Sequence, residues 1–170
     1  SKYDEALAQF DRIIMDKNIS IVKENNKKAL RGKGIAYFYM KDYTEAINQF
    51  DQALNISKSS DLDMDILCYK GKALMNTGNY KEAAETYTKI IERFGEDAQI
   101  LADRAYTYQK IGNYEEGLKD YDKAIELTKN KYEYYFGKYY LLQEMNKTDE
   151  AMEVLKRAEA LEVKTKEDKY

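Results

Sequence analysis

The chain has no histidine, no proline and no tryptophan, and a single cysteine, Cys68. Each absence removes a class of chemistry. Without His there is no imidazole to act as base for a Ser or Cys nucleophile, and no His ligand for zinc. One cysteine closes no internal disulfide, and a thiol with no His near it is a poor nucleophile, so Cys68 reads as a small packing residue. Proline is favoured in turns, so its absence from 170 residues suits a chain that is almost all helix. No apolar run is long enough to cross a membrane. Basic residues do not outnumber acidic ones (28 against 31, net charge −3), which argues against a general nucleic-acid binder. The only basic concentration, Lys23, Lys27, Lys28, Arg31 and Lys33, falls at helical spacing and reads as a solvated helix face.

What is present points to a folded repeat. Charged residues at 35% and a mean hydropathy of −0.79 would suit disorder, but disordered chains are poor in aromatics. Here aromatics reach 13%, mostly tyrosine, so the chain is expected to fold. One pattern recurs five times: Tyr3-Asp4-Glu5-Ala6, Tyr43-Thr44-Glu45-Ala46, Tyr80-Lys81-Glu82-Ala83, Tyr114-Glu115-Glu116-Gly117 and Thr148-Asp149-Glu150-Ala151. Four residues after each small residue stands a large one: Phe10, Phe50, Tyr87, Tyr121 and Leu155. The small residues step by 40, 37, 34 and 34 positions, from Ala6 to Ala46, Ala83, Gly117 and Ala151. A second apolar pattern precedes each of the last four units: Leu30/Gly34/Tyr37, Leu67/Gly71/Leu74, Leu101/Ala105/Tyr108 and Tyr135/Tyr139/Leu142. Spacings of four and three place each set on one helical face. Gly78 and Gly112 suit left-handed caps after a helix, Asn146 can serve the same way, and Lys41 does so less comfortably. The spacing predicts first helices near 22–40, 64–77, 98–111 and 132–145, and second helices near 3–15, 43–57, 80–93, 114–128 and 148–162.

The period of about 34 residues and the small–large–small ladder resemble the tetratricopeptide repeat family, over essentially the whole chain. That resemblance implies an all-α, right-handed α-solenoid of stacked antiparallel helix hairpins, about four full repeats plus a half repeat, with no cofactor and no metal. The chain departs from the family pattern in having no Trp in any first helix and no Pro closing any repeat. It also has Tyr139 where the last unit would place a small residue. Residues 3–14 read as a second helix without its first, and Thr165–Tyr170 as the opening turn of another first helix. The chain is therefore expected to be a single array, residues 1–170, excised from a longer protein.

The resemblance also implies a function. In the family, first helices line a concave groove that takes a peptide or helix of a partner protein. Carried onto this chain, the partner-binding residues are Lys28, Arg31, Ile35, Phe38, Tyr39, Tyr69, Lys72, Asp103, Tyr106, Gln109, Lys110, Phe136 and Tyr140. Tyr69, Tyr106 and Tyr140 are expected to form an aromatic stripe lying off the core. The clamp that one subclass uses for acidic chaperone tails does not fit: its positions hold Arg31, Ile35, Tyr69, Gln99 and Asp103, or Cys68, Lys72, Asp103, Glu133 and Gly137. The alternatives are an RNA-binding helical-repeat module and a regulatory segment of a larger enzyme. Nucleic acid is disfavoured by the charge, and catalysis by the absence of His or any convergent acid–base pair. Localisation reads as cytoplasmic, or else extracytoplasmic with a tether outside this chain.

Three further motifs yield to plainer readings. Asp61-Leu62-Asp63-Met64-Asp65 has the alternating carboxylates of a calcium loop, but Ile66 and Lys72 stand where Gly and Glu are needed. Those carboxylates suit a helix N-terminus instead. Gly32-Lys33-Gly34 falls in mid-helix, where no dinucleotide loop can form. The aromatic run Tyr132–Tyr140 offers a stacking surface for bases, but Tyr135 and Tyr139 fall on the expected core face.

Overall fold

The computed structural model describes residues 2–14, 21–56 and 60–167. They form α1 (Lys2–Ile14), α2 (Ile21–Tyr39), α3 (Tyr43–Ile56), α4 (Ser60–Asn76), α5 (Tyr80–Phe94), α6 (Ala98–Lys110), α7 (Tyr114–Leu127), α8 (Tyr132–Glu144) and α9 (Thr148–Glu167). No strand occurs among the described residues. The chain divides into two compact units, Ser1–Thr86 and Tyr87–Tyr170, and the division falls inside α5. In the first unit α2 packs on α1 and α3, and α4 packs on α3 and α2. In the second, α6 packs on α7, α7 on α8, and α8 on α9, with α6 also meeting α8.

Hairpin turns of one design set this order. Lys41, Gly78, Gly112 and Asn146 all have positive φ, from 59° to 79°. At each, the amide after the turn residue donates back across six residues, as in Asn79 N to Leu74 O at 2.9 Å and Lys147 N to Leu142 O at 3.0 Å. This is the Schellman closure, which satisfies the last carbonyls of the first helix and reverses the chain. Lys41, at φ 64°, accepts the strain of a left-handed residue with a Cβ.

The small–large ladder is the core. Ala46, Phe50 and Ala53 of α3 lie fully buried with Leu30 and Ile66. In the second unit Leu101 and Ala105 of α6, Tyr121 and Ala124 of α7, and Tyr134 and Leu141 of α8 share one cluster. Burying a ring such as Phe50 contributes about 1.5–3 kcal/mol, and it requires that the facing helix come close. Gly34 allows this, because a Cβ there would run into the Phe50 ring; Gly137 does the same for Tyr121. Gly137 eases α8 against the preceding helix α7, a different contact from the one Gly34 makes with the following α3, and it does not replace the small residue that Tyr139 displaces. Ala151 and Ala158 of α9 are fully buried, so the last hairpin closes tightly.

The helix ends depart from expectation in two places. α4 begins at Ser60 rather than near 64. Thr165–Glu167 continue α9 instead of opening a new first helix, since no turn residue interrupts the helix before them; 168–170 lie outside the described residues.

Candidate functional site

In the first unit the expected site residues divide between surface and core. Lys28 is exposed and pairs one turn back with Glu24 at 3.6 Å. Arg31 Nε bonds Asp65 of α4, and Lys27, fully buried, bonds Asp63 of the same helix. Lys33 reaches Asp11 of α1 at 2.7 Å. The basic concentration on α2 is therefore not a solvated face: Lys27, Arg31 and Lys33 each meet a carboxylate on a neighbouring helix. A charge is tolerated inside only when paired. For the same reason Asp63 and Asp65 do more than face the α4 dipole; they tie α4 to α2.

The aromatic positions of this unit form one cluster. Phe38 lies edge-on to Tyr39, Tyr43 and Tyr69, with centroids 5.4–5.7 Å apart. Tyr69 stacks on Phe50 at 6.2 Å. A hydrogen bond between the Tyr69 and Tyr39 side chains, helped by burial, pushes the Tyr69 hydroxyl up to about 12. Ile35 and Phe38 also pack half-buried on this core. Tyr69 was expected to lie off the core, and it does not. Its repeat position is that of Asp103 and Gly137, which turns toward the preceding second helix; the residue in register with Tyr106 and Tyr140 is Lys72. Tyr39 (55% exposed) and Lys72 remain at the surface with Lys28.

In the second unit the solvent-facing aromatics are clearer. Tyr106 of α6 and Tyr140 of α8 are 36% and 58% exposed and stand one repeat apart. Lys110 lies over the Tyr106 ring at 5.1 Å, a cation–π pair. Asp103 is half-buried and accepts from Gln99 at 2.9 Å. Phe136 is half-buried, edge-on to Tyr132 at 6.1 Å. Gln109 does not belong to this surface: it is 7% exposed and donates to Glu144 of α8 at 2.8 Å, because its place on α6 turns it into the α6–α8 contact. In the run Tyr132–Tyr140, Tyr134 is the buried member, while Tyr135 and Tyr139 are half-buried. What remains exposed is an aromatic pair bordered by mixed charge, suited to burying an apolar anchor with little side-chain entropy lost. Among the described residues no group of three His, Cys, Asp or Glu side chains is placed to hold a metal ion. No helix there is long and apolar enough to cross a membrane.

A second ladder went unread in the sequence. Each of the four first helices carries one cation, Lys33, Lys70, Arg104 or Lys138, immediately before the small-residue position. Lys70 bonds Asp51 of α3 at 2.7 Å and Glu82 of α5 at 3.0 Å. Arg104 forks onto both oxygens of Asp120 at 2.7 and 2.8 Å and reaches Thr88 of α5 at 3.1 Å. Lys138 bonds Asp122 of α7 at 2.6 Å. Burial alone would lower the pKa of Lys70 and Arg104, but their carboxylate partners outweigh it and raise both. The legible signal was a Lys or Arg once per repeat, answered by an Asp directly after the large residue at Asp11, Asp51 and Asp122.

Known proteins share the repeat and the fold. The family profile described as tetratricopeptide repeat matches residues 31–98 and again 68–132. No curated protein matches the sequence. Among solved structures, a MamA RS-1 double mutant is similar over 96% of this chain and 86% of its own, at 20% identity and a TM-score of 0.85. MamA from Desulfovibrio magneticus RS-1 is similar over 96% and 97%, at 18% identity and a TM-score of 0.77. YrrB, described as a TPR protein with an unusual peptide-binding site, is similar over 94% and 78%, at 18% identity and a TM-score of 0.78. At these identities the shared property is the fold, an all-α solenoid of helix hairpins.

Proposed function

Because the chain belongs to the tetratricopeptide repeat family, we propose that it is a non-catalytic interaction scaffold that holds a peptide or helix of a partner protein against its first helices. The observation that carries this reading is the pair Tyr106 and Tyr140, exposed on two first helices that pack together in one unit. Exposed tyrosines at this spacing, with Lys110 and Asp103 beside them, suit an amphipathic or extended peptide better than a polyanion. Aromatic anchors of this kind carry most of the energy of a small interface. YrrB lends support as a protein of the same fold described with a peptide-binding site.

The test is a peptide library selected on the wild-type chain, followed by calorimetric titration of the best binder. Tyr106→Ala and Tyr140→Ala are each expected to weaken binding by about 1–3 kcal/mol, with unchanged helical content. Equal affinity in the double variant, its fold intact, would move the site away from α6 and α8.

A further inference from the structure

Among the described residues the cation ladder spans two second helices at Lys70 and Arg104, and is open at its two ends, where Lys33 holds only Asp11 of α1 and Lys138 only Asp122 of α7. Lys70 spans from Asp51 on α3 to Glu82 on α5, and Arg104 from Thr88 on α5 to Asp120 on α7. Each thereby latches the second helix before it to the second helix after it. Among the described residues Lys138 pairs with Asp122 of α7 and with no carboxylate of α9. Glu150 has the repeat position on α9 that Glu82 has on α5, but it makes no ion pair with Lys138. Between α7 and α9, floored by α8, lies a groove of about 680 Å³. Ile125, Tyr135, Leu142, Val154 and Ala160 give it apolar surface.

The α9 wall of this groove is ordered by charge. Glu150 and Glu153 stand toward the helix N-terminus, and Lys156 and Arg157 one turn further on. All four are exposed, and among the described residues none makes an ion pair. Along one helix this pattern is self-complementary in a single sense. A parallel copy sets like charge against like, while an antiparallel copy sets each carboxylate pair against the other copy's cations, with Val154 and its neighbours near the axis. Such a contact is isologous and closes after two copies.

We propose that the α7–α9 groove is a dimerisation surface, in which α9 of a second copy lies antiparallel against α9. The groove opens on the side of α8 that carries Lys138, two positions from Tyr140, and two positions turn a helix by about 200°. A second copy seated there leaves the Tyr106–Tyr140 face open, so the proposal stands apart from the peptide-binding reading.

The test is light scattering and sedimentation equilibrium of the chain across a concentration series at low and high salt. The expected result is a monomer–dimer equilibrium that weakens as salt screens the four charges. E150K/E153K and K156E/R157E are each expected to be monomeric, and an equimolar mixture of the two to recover a heterodimer. The neutral pair E150Q/E153Q gives the same loss without a charge reversal, should either reversed variant fold poorly. A wild type that stays monomeric throughout overturns the proposal. So does dimerisation that survives both reversals, or a mixture that stays monomeric while circular dichroism shows both variants folded.

Discussion

Tyr69 of α4 and Tyr140 of α8 are both first-helix tyrosines, yet one belongs to the core of its unit and the other to the surface of its own. Tyr69 stacks on Phe50, meets Phe38 edge-on and bonds Tyr39. Tyr140 is 58% exposed and touches only Tyr139 among the ring contacts of the described residues, at 5.0 Å. The difference is one of register. A three-residue offset along a helix is enough to exchange a ring that faces the preceding second helix for one that faces solvent. Aromatic content therefore says less about a binding face than the place of each ring in the repeat.

The largest expected effect divides these two rings. Tyr69→Ala should destabilise the chain by about 2–3 kcal/mol, at or below the ~3–5 kcal/mol of a fully buried aromatic truncation, because the ring is half-buried. Tyr140→Ala should stay within about 0.5 kcal/mol, as surface changes do. Urea denaturation of both variants checks this, and equal losses would erase the distinction between the two regions.

A smaller effect sharpens the comparison through pH. Tyr69 titrates near 12 in the folded chain, above the ordinary tyrosine value near 10. The folded state therefore favours the protonated hydroxyl, and this contribution is intact below pH 10 and lost as pH rises from about 10 through 12. Its loss should be modest, since the group is partly solvated. A spectrophotometric titration should show a late-ionising component in the wild type, to which burial adds Tyr121 and Tyr134, and Tyr69→Phe should reduce it by one residue. Tyr140→Phe should leave that late component in place.

The smallest effects lie in the turns. Lys41 of the first unit holds φ 64°, where Gly112 of the second holds 79°. Lys41→Gly should gain up to about 1 kcal/mol by relieving the left-handed strain, less the backbone entropy of the added glycine. Gly112→Ala should lose about 1 kcal/mol in the same geometry. Thermal melts of the two variants, moving in opposite directions, are the check.

Much of this architecture was legible in the residues alone, because it rests on local rules. Small residues four apart from large ones, at helical spacing, set which face of each helix is buried, and a glycine or asparagine after a first helix set where it turns. Periodicity of this kind is one-dimensional, so a one-dimensional reading captures it. The charged residues were not legible in the same way. Lys27 could not be told from Lys28 by spacing, yet one is fully buried on Asp63 and the other is exposed. Gln109 could not be told from a groove residue until α8 supplied Glu144. A polar side chain enters an interior only when a partner on another helix compensates its lost hydration, and the position of that partner is a property of the packed helices. The core faces and turns were therefore determined by the sequence itself, while only the tertiary structure decided which cations became rungs and which rings stayed exposed.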